Sequence, residues 1–105
     1  MSGKPREIHV EVTFKGMDAS DAVRQYAVEK VTNSMQKYVH HDTKTHIVLR
    51  VEKERHSAEI SFHADGQDFH AKEETMQMYS SIDALVNTIA QQLRKNKERI
   101  TAHHR

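Results

Sequence analysis

The 105-residue chain contains no cysteine, which excludes a disulfide framework and a thiolate metal site and is compatible with a reducing cytosol. It has only three glycines, and these form no phosphate-cradling loop of either common type. No apolar run approaches membrane-spanning length, and the opening Met-Ser-Gly-Lys-Pro-Arg has no apolar centre of the kind a signal peptide needs. No serine sits in a Gly-x-Ser-x-Gly context and no His-Glu-x-x-His pattern occurs. Aromatic residues are scarce as well, three Tyr and three Phe, which leaves few rings for stacking on bases. These absences predict a soluble, cytoplasmic protein that is not an enzyme, holds no cofactor, enters no membrane and takes no small-molecule substrate.

What is present is periodic. The chain is 36% hydrophobic and 30% charged, polar for a globular domain, but its apolar residues recur at fixed spacings rather than being scattered, so a folded core is expected. Its length suits one domain, 1–105, with an ordered core over about 7–99 and flexible ends at 1–6 and 101–105. Ile8, Val10, Val12 and Phe14 alternate with polar residues, as a strand with one buried face requires. Gly16 ends it. Ser20 before Asp21 is an N-cap with an acid at the positive end of a helix. Val23, Ala27, Val31 and Met35 then recur every four residues, with Tyr26 and Tyr38, predicting a helix of about 18 residues. The segment 40–43 breaks the pattern as a loop.

Ile47, Leu49 and Val51, then Ala58, Ile60, Phe62 and Ala64, predict two more strands joined by a polar turn, Lys53-Glu54-Arg55-His56. Asp65-Gly66 marks a tight hairpin into a short fourth strand, about 67–72, with Phe69 and Ala71 inward. Met78, Ile82, Leu85, Val86, Ile89 and Leu93 stripe a final helix. The order is β-α-β-β-β-α. A β-α-β crossover favours parallel first and second strands, and each strand has a single apolar face. The predicted fold is therefore α+β, a four-stranded mixed sheet with two helices on one face, its other face left to solvent or a partner.

Two groups of polar residues invite a function. Nine histidines are present, and His9, His46, His63 and His70 fall on polar phases of four different strands. Neighbouring imidazoles can hold a metal, but no spacing here fixes a ligand geometry, and polar strand positions accept His as readily as Thr or Lys. No metal site is expected. The cations are more informative. The formal charge is only +1, yet residues 94–105 hold five Lys or Arg against one acid, Glu98. Local potential, not the total, attracts a polyanion. Lys30 and Lys37 stand two turns apart along one side of the first helix. Arg94 and Lys97 are three apart, as are Asn96 and Arg99, which predicts a helix end that is basic over most of its circumference. Arg50, Lys53 and Arg55 add charge at the second strand and its turn. Point charges on a rigid scaffold suit phosphate contacts on structured nucleic acid more than the reading of single strands. On charge alone, however, a solvated helix end with cations against its dipole is the better explanation of the run.

A resemblance tips that balance. The stretch MYSSIDALVNTIAQQLRKNKER, residues 78–99, resembles the last helix of the short ribosome hibernation factors, the family of hibernation promoting factor and ribosome-associated inhibitor A. Met78, Tyr79, Ile82, Asp83, Leu85, Gln92, Leu93, Lys95 and Lys97 match the family pattern. VLRVEKERHSAEISFHADG (48–66) resembles its central hairpin, and SDAVRQYAVEKV (20–31) its first helix. The chain departs from the pattern at Gln77, where the family carries a helix-capping Asp: either Thr75 replaces it or the helix start is weaker. Where some short members have an extended acidic tail, residues 100–105 read Ile-Thr-Ala-His-His-Arg. The resemblance implies a fold like that of double-stranded RNA-binding domains. It further implies a partner, the small ribosomal subunit with its 16S rRNA, bound in the mRNA and tRNA channel, with translation inhibited in stationary phase or stress. It assigns rRNA contacts to Lys30, Lys37, Lys95 and Lys97, to which local charge adds Arg94 and Arg99. The protein is expected to be monomeric off the ribosome. A different class of function, a protein-partner module such as a sigma-54 modulator, is the alternative.

Overall fold

The computed structural model describes residues 7–103, and side chains as far as Glu98. The elements are β1 (Ile8–Lys15), α1 (Asp21–Gln36), β2 (Thr43–Glu52), β3 (Arg55–Ala64), β4 (Gln67–Thr75) and α2 (Met78–His103). This is the β-α-β-β-β-α order that periodicity predicts. The strands lie side by side in chain order, β1-β2-β3-β4. β1 and β2 are parallel; the other two pairings are antiparallel.

One face of the sheet carries the core. Ile47, Leu49, Ala58, Ile60, Phe62, Phe69 and Ala71 are buried there against Val23, Ala27, Val31 and Met35 of α1 and Met78, Ile82, Leu85, Ile89 and Leu93 of α2. Alternate strand residues point the other way, and most stay accessible, Ser57 being buried. α1 starts as expected: Ser20 is extended, and its hydroxyl accepts the Val23 N–H at 3.2 Å. The helix is 16 residues long, because Lys37 and Tyr38 leave it in a turn that buries Val39.

Three boundaries differ from expectation, each because backbone pairing continues where side-chain alternation fades. Thr43, expected in a loop, opens β2: its N–H donates to the Glu7 carbonyl at 3.0 Å and it pairs with Ile8. Arg55 and His56, expected in the turn, are already in β3, paired with Glu52 and Val51, so the turn is only Lys53-Glu54, with Lys53 at φ 58°. β4 runs on to Thr75, where Glu73, Glu74 and Thr75 pair with Ala58, Ser57 and His56. The second hairpin follows prediction, with Asp65 and Gly66 both at positive φ, as a primed turn demands.

At the start of α2 the Thr75 hydroxyl accepts the Gln77 N–H at 3.1 Å. Thr75 thus orders the residue before the helix, where an acidic cap is expected in relatives. Fully buried Ser81 donates to the His56 carbonyl at 2.5 Å and ties α2 to β3. α2 then continues to His103, so 101–103 are helical rather than a loose end. The other residues expected to be flexible, 1–6 and 104–105, lie outside those described. No helix among the described residues is long and apolar enough to cross a membrane.

Candidate nucleic-acid interface

The direction of the two helices decides where the cations gather. α1 returns between parallel β1 and β2, so it runs against them. β4 is parallel to β2 through two antiparallel pairings, and α2 turns back after it; α1 and α2 therefore run in the same direction. They touch near their starts. The Tyr26 hydroxyl of α1 donates to Asp83 Oδ1 of α2 at 2.5 Å. From that junction α1 ends at Gln36 while α2 continues to His103. At 1.5 Å per residue, α2 overhangs α1 by about 15 Å.

The far pole therefore collects Lys37, at the C-cap of α1, with Arg94, Lys95 and Lys97 on α2, all exposed. Lys30 lies between this pole and the junction, its ammonium 5.5 Å from the Tyr26 ring centroid. Arg99 lies on α2 but beyond the described side chains. Among the described residues none of Lys30, Lys37, Arg94, Lys95 or Lys97 is held in an ion pair, so these cations are available to an outside anion.

The expectation of a helix end basic over most of its circumference acquires a boundary on one side. Asn96 is only 5% exposed, so the core stripe extends one turn past Leu93. At about 100° per residue, Lys95 and Lys97 flank Asn96 on either side and Arg94 stands opposite. The basic surface is an arc, not a collar. A cleft of about 510 Å³ between this turn and β4 is bordered by Lys95, Asn96, Gln92, Asp68 and His70. Arg50, Lys53 and Arg55 do not join the arc. They sit at the β2–β3 end of the sheet, the pole where both helices begin, whereas the Asp65-Gly66 hairpin lies at the pole where α1 ends, with His40 3.8 Å from Asp65.

The strand histidines share the open sheet face but not a site. His46 meets the Thr13 hydroxyl at 2.9 Å, His63 meets Asp68 at 2.7 Å and His70 meets Glu59 at 2.6 Å. The His70 contact holds the Glu59 carboxyl below its ordinary pKa, against the smaller opposing effect of desolvation. Among the described residues no three of His, Asp or Glu converge as metal ligands would.

The helix junction has its own electrostatic signature. The Asp83 hydrogen bond, helped by desolvation and by the charge of Asp83, raises the pKa of Tyr26. A phenol whose folded pKa is raised contributes stability below its unfolded pKa and loses it as pH rises through the folded one. Asp83→Asn is therefore expected to bring the Tyr26 ionisation down in a near-ultraviolet absorbance titration. An unchanged alkaline titration would mean that the hydrogen bond is not formed in solution.

Comparison with known proteins bears on this arrangement. The chain is 28% identical over 96 residues to the ribosome hibernation promoting factor of Escherichia coli (strain K12), covering 91% of this chain and 100% of that one. It is 29% identical over 92 residues to the ribosome hibernation promoting factor of Azotobacter vinelandii, covering 88% and 85%. A ribosomal subunit interface protein from Coxiella burnetii shares the fold with a TM-score of 0.75 at 24% identity, over 86% of this chain and 98% of the other. The N-terminal domain of Thermus thermophilus Protein Y does so with 0.75 at 22%, over 83% and 97%. Residues 10–101, from β1 to the overhanging end of α2, match the family described as sigma 54 modulation protein / S30EA ribosomal protein, and the chain belongs to that family.

Proposed function

We propose that this protein is a ribosome hibernation factor that lodges in the mRNA and tRNA channel of the small ribosomal subunit and inhibits translation in stationary phase or stress. The observation that carries this reading is the gathering of Lys37, Arg94, Lys95 and Lys97 at one pole of a chain whose family match spans residues 10–101. The relatives' name, ribosome hibernation promoting factor, supports it. The action is occlusion rather than catalysis. A rigid two-layer wedge, held by charge-assisted contacts to rRNA phosphates, excludes mRNA and tRNA from the space it fills. No bond is made or broken, so no cofactor is needed, and the site of action is cytoplasmic.

Co-sedimentation through a sucrose gradient tests the proposal. The protein is expected to travel with small subunits at low salt and to be released as salt rises. If Lys30, Lys37, Arg94, Lys95, Lys97 and Arg99 all meet phosphates, about a fourfold rise in salt weakens binding about a thousandfold. Protein that stays at the top of the gradient at low salt overturns the reading. The family description also names sigma 54 modulation, and the sheet face opposite the helices is open to a protein partner. Tight binding to a purified sigma-54 factor, with none to ribosomes, would establish that second reading instead.

A further inference from the structure

Few aromatic residues are present to stack on bases, yet the fold sets one out in solvent. Tyr79, the second residue of α2, is 39% exposed. Its ring meets that of Tyr26 in a T-shaped contact, centroids 4.9 Å apart and planes at 84°. A T-shaped pair uses one face of one ring and the edge of the other, so at least one face of Tyr79 is not taken by Tyr26. Tyr26 itself is held on two sides. Its hydroxyl is bound to Asp83, one turn along α2 from Tyr79, and Lys30 lies over its ring. The two centroid distances, 4.9 and 5.5 Å, put the Lys30 ammonium within about 10 Å of the Tyr79 ring. A fixed ring thus holds an open ring and an unpaired cation together at one helix junction.

We infer that the α1–α2 junction is a nucleotide subsite: an unpaired RNA base stacks on Tyr79, Lys30 contacts a neighbouring phosphate, and Tyr26 positions both. The inference rests on the ribosome-binding reading above and deepens it, because it names the form of RNA taken at this point. A duplex hides the faces of its bases, so only a loop, bulge or single strand can supply one. Stacking tolerates any base, since each has a π-face, and the cation adds a salt-sensitive contact.

The test is a fluorescence titration of labelled protein with purified small ribosomal subunits across a salt series, with amide NMR spectra to verify that each variant is folded. Tyr79→Leu is expected to bind about tenfold or more weakly, with the slope of affinity against salt unchanged, while Tyr79→Phe binds like the parent. Lys30→Gln is expected to lower that slope by about one. Tyr26→Phe keeps the ring but loses the Asp83 bond; weaker binding at an unchanged slope supports its positioning role, and parental affinity overturns it. Tyr79→Leu binding at parental strength, while charge reversal at Lys95 and Lys97 abolishes binding, overturns the subsite and leaves the ribosome-binding reading intact. Tyr79→Phe as weak as Tyr79→Leu also overturns stacking, since the ring would be insufficient. If the parent protein does not bind small subunits, both proposals fall.

Discussion

Replacing Lys95 and Lys97 together with Glu is expected to weaken binding to small ribosomal subunits by about a hundredfold at low salt and to flatten its salt dependence by at least about two units of slope. Both side chains are exposed on the overhanging part of α2, on either side of buried Asn96, and neither has an ion-pair partner among the described residues. Each Lys that neutralises a phosphate releases a bound counterion, and that release makes binding salt-sensitive. Reversal removes two such contacts and adds two repulsions. Because neither residue belongs to the core, the variant should keep its circular dichroism spectrum and its melting temperature. Gradient sedimentation and a salt titration read the effect. Parental affinity in the double variant would show that the basic arc of α2 is not the interface.

The second large effect concerns folding. Gly16 follows β1 at φ 72°, and a Cβ built there would stand 2.1 Å from the Val51 carbonyl oxygen. That oxygen belongs to the backbone of β2, so it cannot swing aside as a side-chain tip would. Gly16→Ala therefore combines the strain of a left-handed backbone with displacement of one strand from another. It is expected to cost about 3 kcal/mol, which in a domain of this size lowers the melting temperature by about 12 °C or more. Gly66 is the internal control. It sits at φ 75° but faces open space, so Gly66→Ala should cost only about 1 kcal/mol, the conformational term alone. Equal losses in the two variants, measured by thermal or denaturant unfolding, would mean that the β2 contact at Gly16 contributes nothing.

Much of this architecture is legible in side-chain periodicity, because period two and period 3.6 mark the faces that must be buried. Ile8 to Phe14 and Ala58 to Ala64 announce strands, and the stripe from Met78 to Leu93 announces a helix, since each has one apolar face and one polar face. Periodicity fails where pairing is carried by the backbone. Arg55, His56 and Glu73 to Thr75 are polar, so they look like turn or loop, yet their ladder partners hold them in β3 and β4. Asn96 fails for a related reason. Its position continues the stripe, but an amide amid Lys and Arg looks like surface until packing shows otherwise.

The candidate site was legible as a list of cations and not as a surface. Arg94 to Arg99 stands out as a run, but bringing Lys37 to it requires the two helices to be parallel, a property of strand order rather than of local charge. The same strand order sends Arg50, Lys53 and Arg55 to the opposite pole. Tyr79 could be placed on its helix from the stripe of Met78 and Ile82. Its exposure depends on where Tyr26 meets it, which no spacing along one helix reveals.

The order of strands also bears on how quickly the chain finds its structure. β2, β3 and β4 are each joined to the next by a two-residue turn and followed directly by α2, so their contacts close short loops and cost little chain entropy. β1 alone must find its neighbour across the whole of α1. Local pairings form early and distant ones late in chains of this size. The meander from β2 to β4 with α2 is thus the natural nucleus, and β1 is the last strand to dock. Conservative truncations in β1, such as Val12→Ala, should consequently speed unfolding while leaving the refolding rate nearly unchanged.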